Sequence, residues 1–323
     1  MSTARYSYLG PEGTFSEEAL RTLPEAADAT LLPSRTVPEA LDAVRTGDAD
    51  AALVPLENSV GGSVPVTVDD LVGGDPLQIR REVVLPIRFV FATRDGRALD
   101  EVRTVAAHPQ AAAQCRHWLR GTVPAATVTD VLSNATAAIR CAAGEYDGAL
   151  STPLAAHRHG LTIRAEGVAD HADAMTRFVL LGRPAAAPAP TGNDVTTIAV
   201  FIAHDRVGAL LAVLTELAVR GVNLSRIESR PTGEALGRYC FLLDCTGHVA
   251  DARMGEALAG LRRICRDVRY FGSYPRAGAE PPVPPPPGMS DADFTEAQTW
   301  LTSIRTPHPT PPTPPERVDH GVV

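Results

Sequence analysis

The sequence predicts an α/β protein made of an N-terminal unit and a smaller C-terminal one. Three observations carry this. Short apolar runs alternate with helical patterns up to about residue 181, the order strand, helix, strand, strand, helix, strand recurs between 197 and 273, and a proline-rich stretch from Arg183 to Asn193 lies between them. Alternating strands and helices bury one face each against a shared sheet, which is the α/β signature.

In the first unit, Tyr6-Ser7-Tyr8-Leu9 reads as a strand leading into a glycine turn and a helix. Ala51 to Pro55 is a strand following a helix from Pro38 to Thr46, and Val84 to Phe91 reads as one long strand. Thr104 to Ala107 leads into a helix from Pro109 to Arg120, and Phe178 to Leu181 is the strand that closes the unit. In the second unit Thr197 to Ala203 is a strand, and Val207, Leu210, Leu211, Leu214, Leu217 and Ala218 recur at helical spacing. Strands follow at Val222 to Ser229 and Gly237 to Cys245. A helix carries Met254, Ala257, Leu258, Leu261, Ile264 and Cys265 on one face, and Val268 to Ser273 ends a ferredoxin-like βαββαβ plan. The expected boundaries are 1–183, a linker at 184–194, 195–275, and a proline-rich, largely disordered tail at 276–323. Within that tail Ser290 either caps a short docked helix with Phe294, Ala297, Leu301 and Ile304 on one face, or starts only a transient helix in a disordered segment.

Composition excludes several chemistries. All 30 basic residues are arginine, so a lysine Schiff base and a Walker A lysine are both impossible. The formal charge of −8 disfavours nucleic acid and anionic membrane, and no apolar run is long enough to span a bilayer. With no secretory pattern at Met1 to Tyr6, the expected location is the cytoplasm. The five cysteines include no C-x-x-C pair and read as buried free thiols, and no metal set stands out.

Three segments before the linker carry candidate chemistry. In Gly10-Pro11-Glu12-Gly13-Thr14-Phe15-Ser16-Glu17, Thr14 either caps a helix, with Glu17 completing a capping box, or joins free amides in holding an anion. In Val54-Pro55-Leu56-Glu57-Asn58-Ser59-Val60-Gly61-Gly62, Asn58 and Ser59 either satisfy turn amides or meet a ligand at the carboxyl end of a strand. In Thr176-Arg177-Phe178, a hydroxyl beside a guanidinium suits a carboxylate and a neighbouring oxygen, or simply starts a strand. His108-Pro109-Gln110 reads equally as an acid or base and as a helix cap, and stays unassigned. In the second unit, Gly208, Ala209 and Leu210 follow Asp205-Arg206 at a helix start, where free amides suit an amino acid's carboxylate. Asn223 or Glu228 could take its ammonium, and Gly208 could also serve close helix-sheet packing.

Taken in order, these segments resemble the prephenate dehydratase family, whose members show G-P-x-G-T-F, V-P-x-E-N-S, H-P-Q-A and T-R-F, then G-A-L and E-S-R-P in an ACT domain. The resemblance covers about residues 5 to 275. It implies a catalytic domain of two lobes like a type II periplasmic binding protein, acting on prephenate without a cofactor. It also implies Thr176 as the catalytic residue, with substrate held by Arg177, Phe178, Asn58, Ser59 and, more loosely, Thr14. By the same resemblance L-phenylalanine binds the ACT domain at Gly208, Ala209, Leu210, Asn223, Glu228 and Ser229, between subunits of a homodimer or homotetramer. Two departures are Ala174, where asparagine is usual, and Val207, where proline commonly precedes G-A-L.

The chemistry fits these residues. Loss of carbon dioxide and water makes the ring aromatic, so the task is to assist departure of hydroxide and hold a dianion. Arogenate as substrate, or a regulator that keeps both folds without catalysis, are the competing expectations at this point.

Overall fold

The computed structural model describes residues 3–202, 207–232, 239–278, 281–282 and 284–306. The first unit divides into two lobes. Lobe 1 contains β1 (Arg5–Leu9), α1 (Phe15–Arg21), β2 (Thr30–Ser34), α2 (Val37–Thr46), β3 (Ala51–Asn58), β4 (Gly62–Ser63), α3 (Pro65–Gly73) and β5 (Gln78–Pro86). Lobe 2 contains β6 (Val90–Thr93), β7 (Thr104–Ala107), α4 (Pro109–Gln114), α5 (Arg116–Thr122), β8 (Thr127–Asp130), α6 (Asn134–Ala142), β9 (Gly148–Ser151), α7 (Pro153–Arg158) and β10 (Thr162–Glu166). The chain then returns to lobe 1 as β11 (Met175–Gly182), which inserts antiparallel between β3 and β5. The sheet orders are β2-β1-β3-β11-β5, with β4 on β3, and β10-β6-β9-β7-β8.

Two segments therefore cross between lobes, 87–89 and 167–174, and they touch where Ile87 N donates to Ala174 O at 2.7 Å. The strand expected over Val84 to Phe91 is two strands in two different sheets. Pro86 ends the first, and Ile87 and Phe89 are buried at the crossing in a core shared by both lobes. The helix expected from Pro109 to Arg120 is likewise two, broken at Cys115, whose φ of −115° leaves the helical range.

The C-terminal unit follows the βαββαβ plan: β12 (Asp194–Phe201), α8 (Ala209–Ala218), β13 (Leu224–Pro231), β14 (Tyr239–Thr246), α9 (Ala252–Ile264) and β15 (Asp267–Pro275), in sheet order β13-β14-β12-β15. Both faces of its two central strands, β14 and β12, are covered. Ile198, Val200 and Leu243 pack under α8 and α9, whereas Val195, Ala199 and Leu242 join Val179 and Leu181 of β11 in a core shared with lobe 1. At this junction β15 approaches β5 so closely that a side chain on Gly272 would meet Ile79 O at 2.3 Å. The segment expected as a linker is tied to lobe 1, with Ala185 N donating to Gln78 Oε1 at 2.9 Å.

The tail forms α10 (Asp291–Arg305). Ser290 and Asp293 make a reciprocal capping box, and Asp291 Oδ1 accepts from Ala252 N at 2.8 Å, which seats the helix on the start of α9. No helix among the described residues is long and apolar enough to cross a membrane.

Candidate active site

Thr176 is the second residue of β11, and its partner across the sheet is Asn58, the last residue of β3. Both therefore sit where lobe 1 meets the chain arriving from lobe 2. Asn58 Nδ2 donates to Thr176 Oγ1 at 2.8 Å. The other end of the amide fixes this orientation, because Asn58 Oδ1 accepts from the backbone N–H groups of Val60 at 3.0 Å and Gly61 at 2.7 Å. With its oxygen turned to two donors, Asn58 offers its NH₂ to the threonine. The Thr176 hydroxyl then accepts from Asn58 and keeps its own proton to donate elsewhere.

The neighbouring loop is held just as firmly. Ser59 N donates to Met175 O at 2.9 Å, and Ser59 Oγ accepts from Met175 N at 2.9 Å, so this exposed hydroxyl also retains its proton. A methyl group on Gly61 would lie 2.5 Å from Gln110 Nε2 and 3.4 Å from Asn58 Oδ1. The Gln110 amide from α4 of lobe 2 therefore lies over the loop. Gln110 thus joins the site from the opposite lobe, a residue that sequence reasoning left unassigned. The signal available was its position at a helix start directly after a strand. His108 caps that helix, with Nδ1 accepting from Gln110 N at 3.3 Å, and burial holds its pKa below the usual histidine value although Asp130 pulls the other way.

Three residues expected to touch substrate are placed otherwise. Thr14 spends its hydroxyl on the cap, donating to Leu9 O at 2.8 Å and accepting from Glu17 N at 3.4 Å. Phe178 is 2% exposed in the core between the lobes. Arg177, one step along the strand from Thr176, projects from the opposite face. Its Nε donates to Glu82 at 2.6 Å, Nη1 to Asp244 at 2.5 Å and Nη2 to the Tyr274 hydroxyl at 2.8 Å. Burial alone would lower the Arg177 pKa, but Tyr274, Asp244 and Glu82 together raise it, while burial pushes the Tyr274 phenol up. A guanidinium committed to three buried oxygens is no clamp for a substrate carboxylate. Ala174 is buried in the shared core, and Thr176 finds its hydrogen-bond partner in Asn58 instead.

Residues 6–186 match the family model for prephenate dehydratase, and residues 196–263 match that for the ACT domain. The chain belongs to the prephenate dehydratase family. A prephenate dehydratase of Amycolatopsis methanolica is 47% identical over 94% of this chain and 98% of its own. A crystal structure of a prephenate dehydratase in complex with L-Phe, from Arthrobacter aurescens, superposes with a TM-score of 0.89 at 46% identity, covering 94% of this chain and 99% of that one. The quorum quenching acylase GqqA is also similar, with a TM-score of 0.76 at 29% identity over 84% of this chain and 98% of that one. Since one architecture carries two differently named activities, the chemistry of this prephenate dehydratase family member has to be argued from its site.

In the ACT domain, Gly208 precedes α8 with φ of +82°, and a side chain there would meet open space. Its glycine answers to backbone conformation rather than to close packing. Ala209 and Leu210 are half-buried in the first turn, Val207 is fully exposed, and Asn223 and Ser229 are exposed on and beside β13. Asp205 and Arg206 lie outside the described residues. Glu228, expected to meet an ammonium group, instead accepts from Ser63 Oγ of lobe 1 at 2.8 Å and pairs with Arg226.

Four of the five thiols are buried, and burial pushes Cys115 and Cys245 up to about 12, so neither serves as a nucleophile. Among the described residues no cluster of His, Cys, Asp and Glu could hold a metal ion.

Proposed function

We propose that the chain converts prephenate to phenylpyruvate, with Thr176 assisting departure of the ring hydroxyl. The ring carboxylate leaves as carbon dioxide, the electrons of its C–C bond enter the ring, and the C–O bond breaks to give hydroxide, which takes a proton to become water. Charge grows on the departing oxygen. A preorganised donor aimed at that atom stabilises the transition state, whereas an alcohol is too weak an acid to protonate it outright beforehand. The observation that carries this reading is the Asn58 to Thr176 hydrogen bond at 2.8 Å, which leaves the threonine proton as the group to be donated. Asn58 sets the hydroxyl, and Ser59 and Gln110 supply further neutral donors from the two lobes for the substrate's oxygens.

L-Phenylalanine is the proposed effector, bound beside Gly208, Ala209, Leu210, Asn223 and Ser229. The L-Phe complex of the Arthrobacter aurescens relative supports that ligand. β13 is an edge strand, with Ile227 and, on α8, Leu211 exposed, and this favours pairing of two ACT domains in a homodimer or homotetramer. The cytoplasm is the expected site of action.

The test is ultraviolet detection of phenylpyruvate after adding prephenate, with and without phenylalanine. Thr176→Ala is expected to lower kcat by about 10²–10³ with little change in KM. Near-normal turnover by a folded Thr176→Ala protein overturns the assignment.

A further inference from the structure

Strands β3 and β11 carry two residue pairs one step apart: Thr176 lies opposite Asn58, and Arg177 lies opposite Glu57. Successive residues of a strand point to opposite faces, so the first pair faces the cleft and the second faces the ACT sheet. The rear pair is held from behind. Arg177 reaches Asp244 of β14 at 2.5 Å and Tyr274 of β15 at 2.8 Å, while Arg226 of β13 reaches Glu57 at 3.5 Å. Thr197 of β12 locks this side by donating to Asp244 at 2.7 Å. Glu228, paired with Arg226, accepts from Ser63 on β4, the strand that closes the loop carrying Asn58. All four ACT strands thus contribute a polar side chain to the back of the strand pair whose front carries the candidate chemistry.

We infer that Arg177 and Glu57 are positioning residues through which the ACT sheet sets the Thr176–Asn58 pair, so that an amino acid bound at the ACT domain acts on the cleft by shifting β13 and β14 against β3 and β11. This rests on the dehydratase reading, in which Thr176 is the donor. Asp244 is fully buried, so separating it from Arg177 strands a charge away from water. The strands therefore move together rather than part. A displacement of about 1 Å in a catalytic group is enough to cost about 10² in turnover, so a small shift of β14 suffices.

The test uses the full chain with Asp244→Asn and, separately, Glu57→Gln. Both leave Arg177 or Arg226 paired with a remaining carboxylate, Glu82 or Glu228. Expected are a drop in kcat of about tenfold with KM changed less than about twofold. Calorimetry should find phenylalanine still bound, while its effect on turnover falls at least about fivefold. If Asp244→Asn fails to fold, Glu57→Gln, at the half-exposed end of the network, carries the test. Wild-type kcat together with a full response to phenylalanine in the folded variants overturns the proposal. So does a KM raised about tenfold with kcat unchanged, the mark of a substrate contact. A wild-type protein that makes no phenylpyruvate defeats the dehydratase reading alone. The coupling is then decided by the Thr176 methyl resonance, assigned with Thr176→Ser. Its shift on adding phenylalanine must be present in wild type and lost in Glu57→Gln, and equal shifts in both refute the coupling.

Discussion

Asn58 decides which way the Thr176 hydroxyl can donate, through the direction of one amide. Its oxygen is taken by Val60 N and Gly61 N, so the threonine oxygen receives a proton and the threonine hydrogen is left to donate. Asn58→Asp reverses that logic, because a carboxylate accepts only and would draw the Thr176 proton to itself. Turnover of Asn58→Asp is expected to fall by about 10²–10³, comparable to Thr176→Ala, with the fold intact by circular dichroism. Turnover within threefold of wild type would show that the hydroxyl does not need this partner. Arg177 gives the converse lesson. Thr176 and Arg177 are adjacent in the sequence, and a hydroxyl beside a guanidinium reads as a joint anion site. That reading placed the strand start at Phe178, whereas β11 starts at Met175, and within a strand neighbours cannot share a face.

At the level of elements, the two lobes are joined at more than their crossing segments. Glu17 of α1, 1% exposed, accepts from both Nη atoms of Arg158 on α7 at 2.7 Å, from Arg21 Nε at 2.8 Å and from Gly13 N at 2.5 Å. The capping box expected for Glu17 is therefore replaced by a fork between lobes. Burial alone would raise the Glu17 pKa, but hydrogen bonds from Arg158, Gly13 and Arg21 hold it at about 2 against a usual 4.5. A depressed carboxyl pKa contributes stability above the unfolded value and loses it as pH falls through the folded one. Glu17→Gln is thus expected to cost about 3 kcal/mol at pH 7 in urea denaturation, the gap to wild type closing between about pH 4.5 and 2. A gap that stays constant over that range would show the charge to be irrelevant. The broken elements, β5 to β6 and α4 to α5, follow the same pattern. Their apolar content was legible, but the point where the chain leaves one layer for another depends on which lobe covers it.

At the scale of the molecule, the ACT domain is seated on lobe 1 through a common core rather than hung from a tether. Leu242 of β14 is fully buried in the cluster that also contains Val179, Leu181 and Tyr274. Leu242→Ala should therefore destabilise both units together, by about 2–5 kcal/mol, and calorimetry should record one transition that moves as a whole. Two separating transitions would mean the shared core carries little of the coupling. The docked tail helix adds to this compactness: Pro286 packs against Gly221, and Asp291 meets the start of α9.

Periodicity and turn residues were enough to outline the two units and the βαββαβ order, because these follow from local backbone preference, while Thr176, Asn58 and Ser59 were singled out only by the ordered company of the motifs. What covers each face of a strand is set by residues far away in the chain. Only the tertiary structure could turn Arg177 toward Asp244, bring Gln110 over Gly61, and give Glu228 to Ser63 rather than to a ligand, since each of these contacts joins segments more than 40 residues apart.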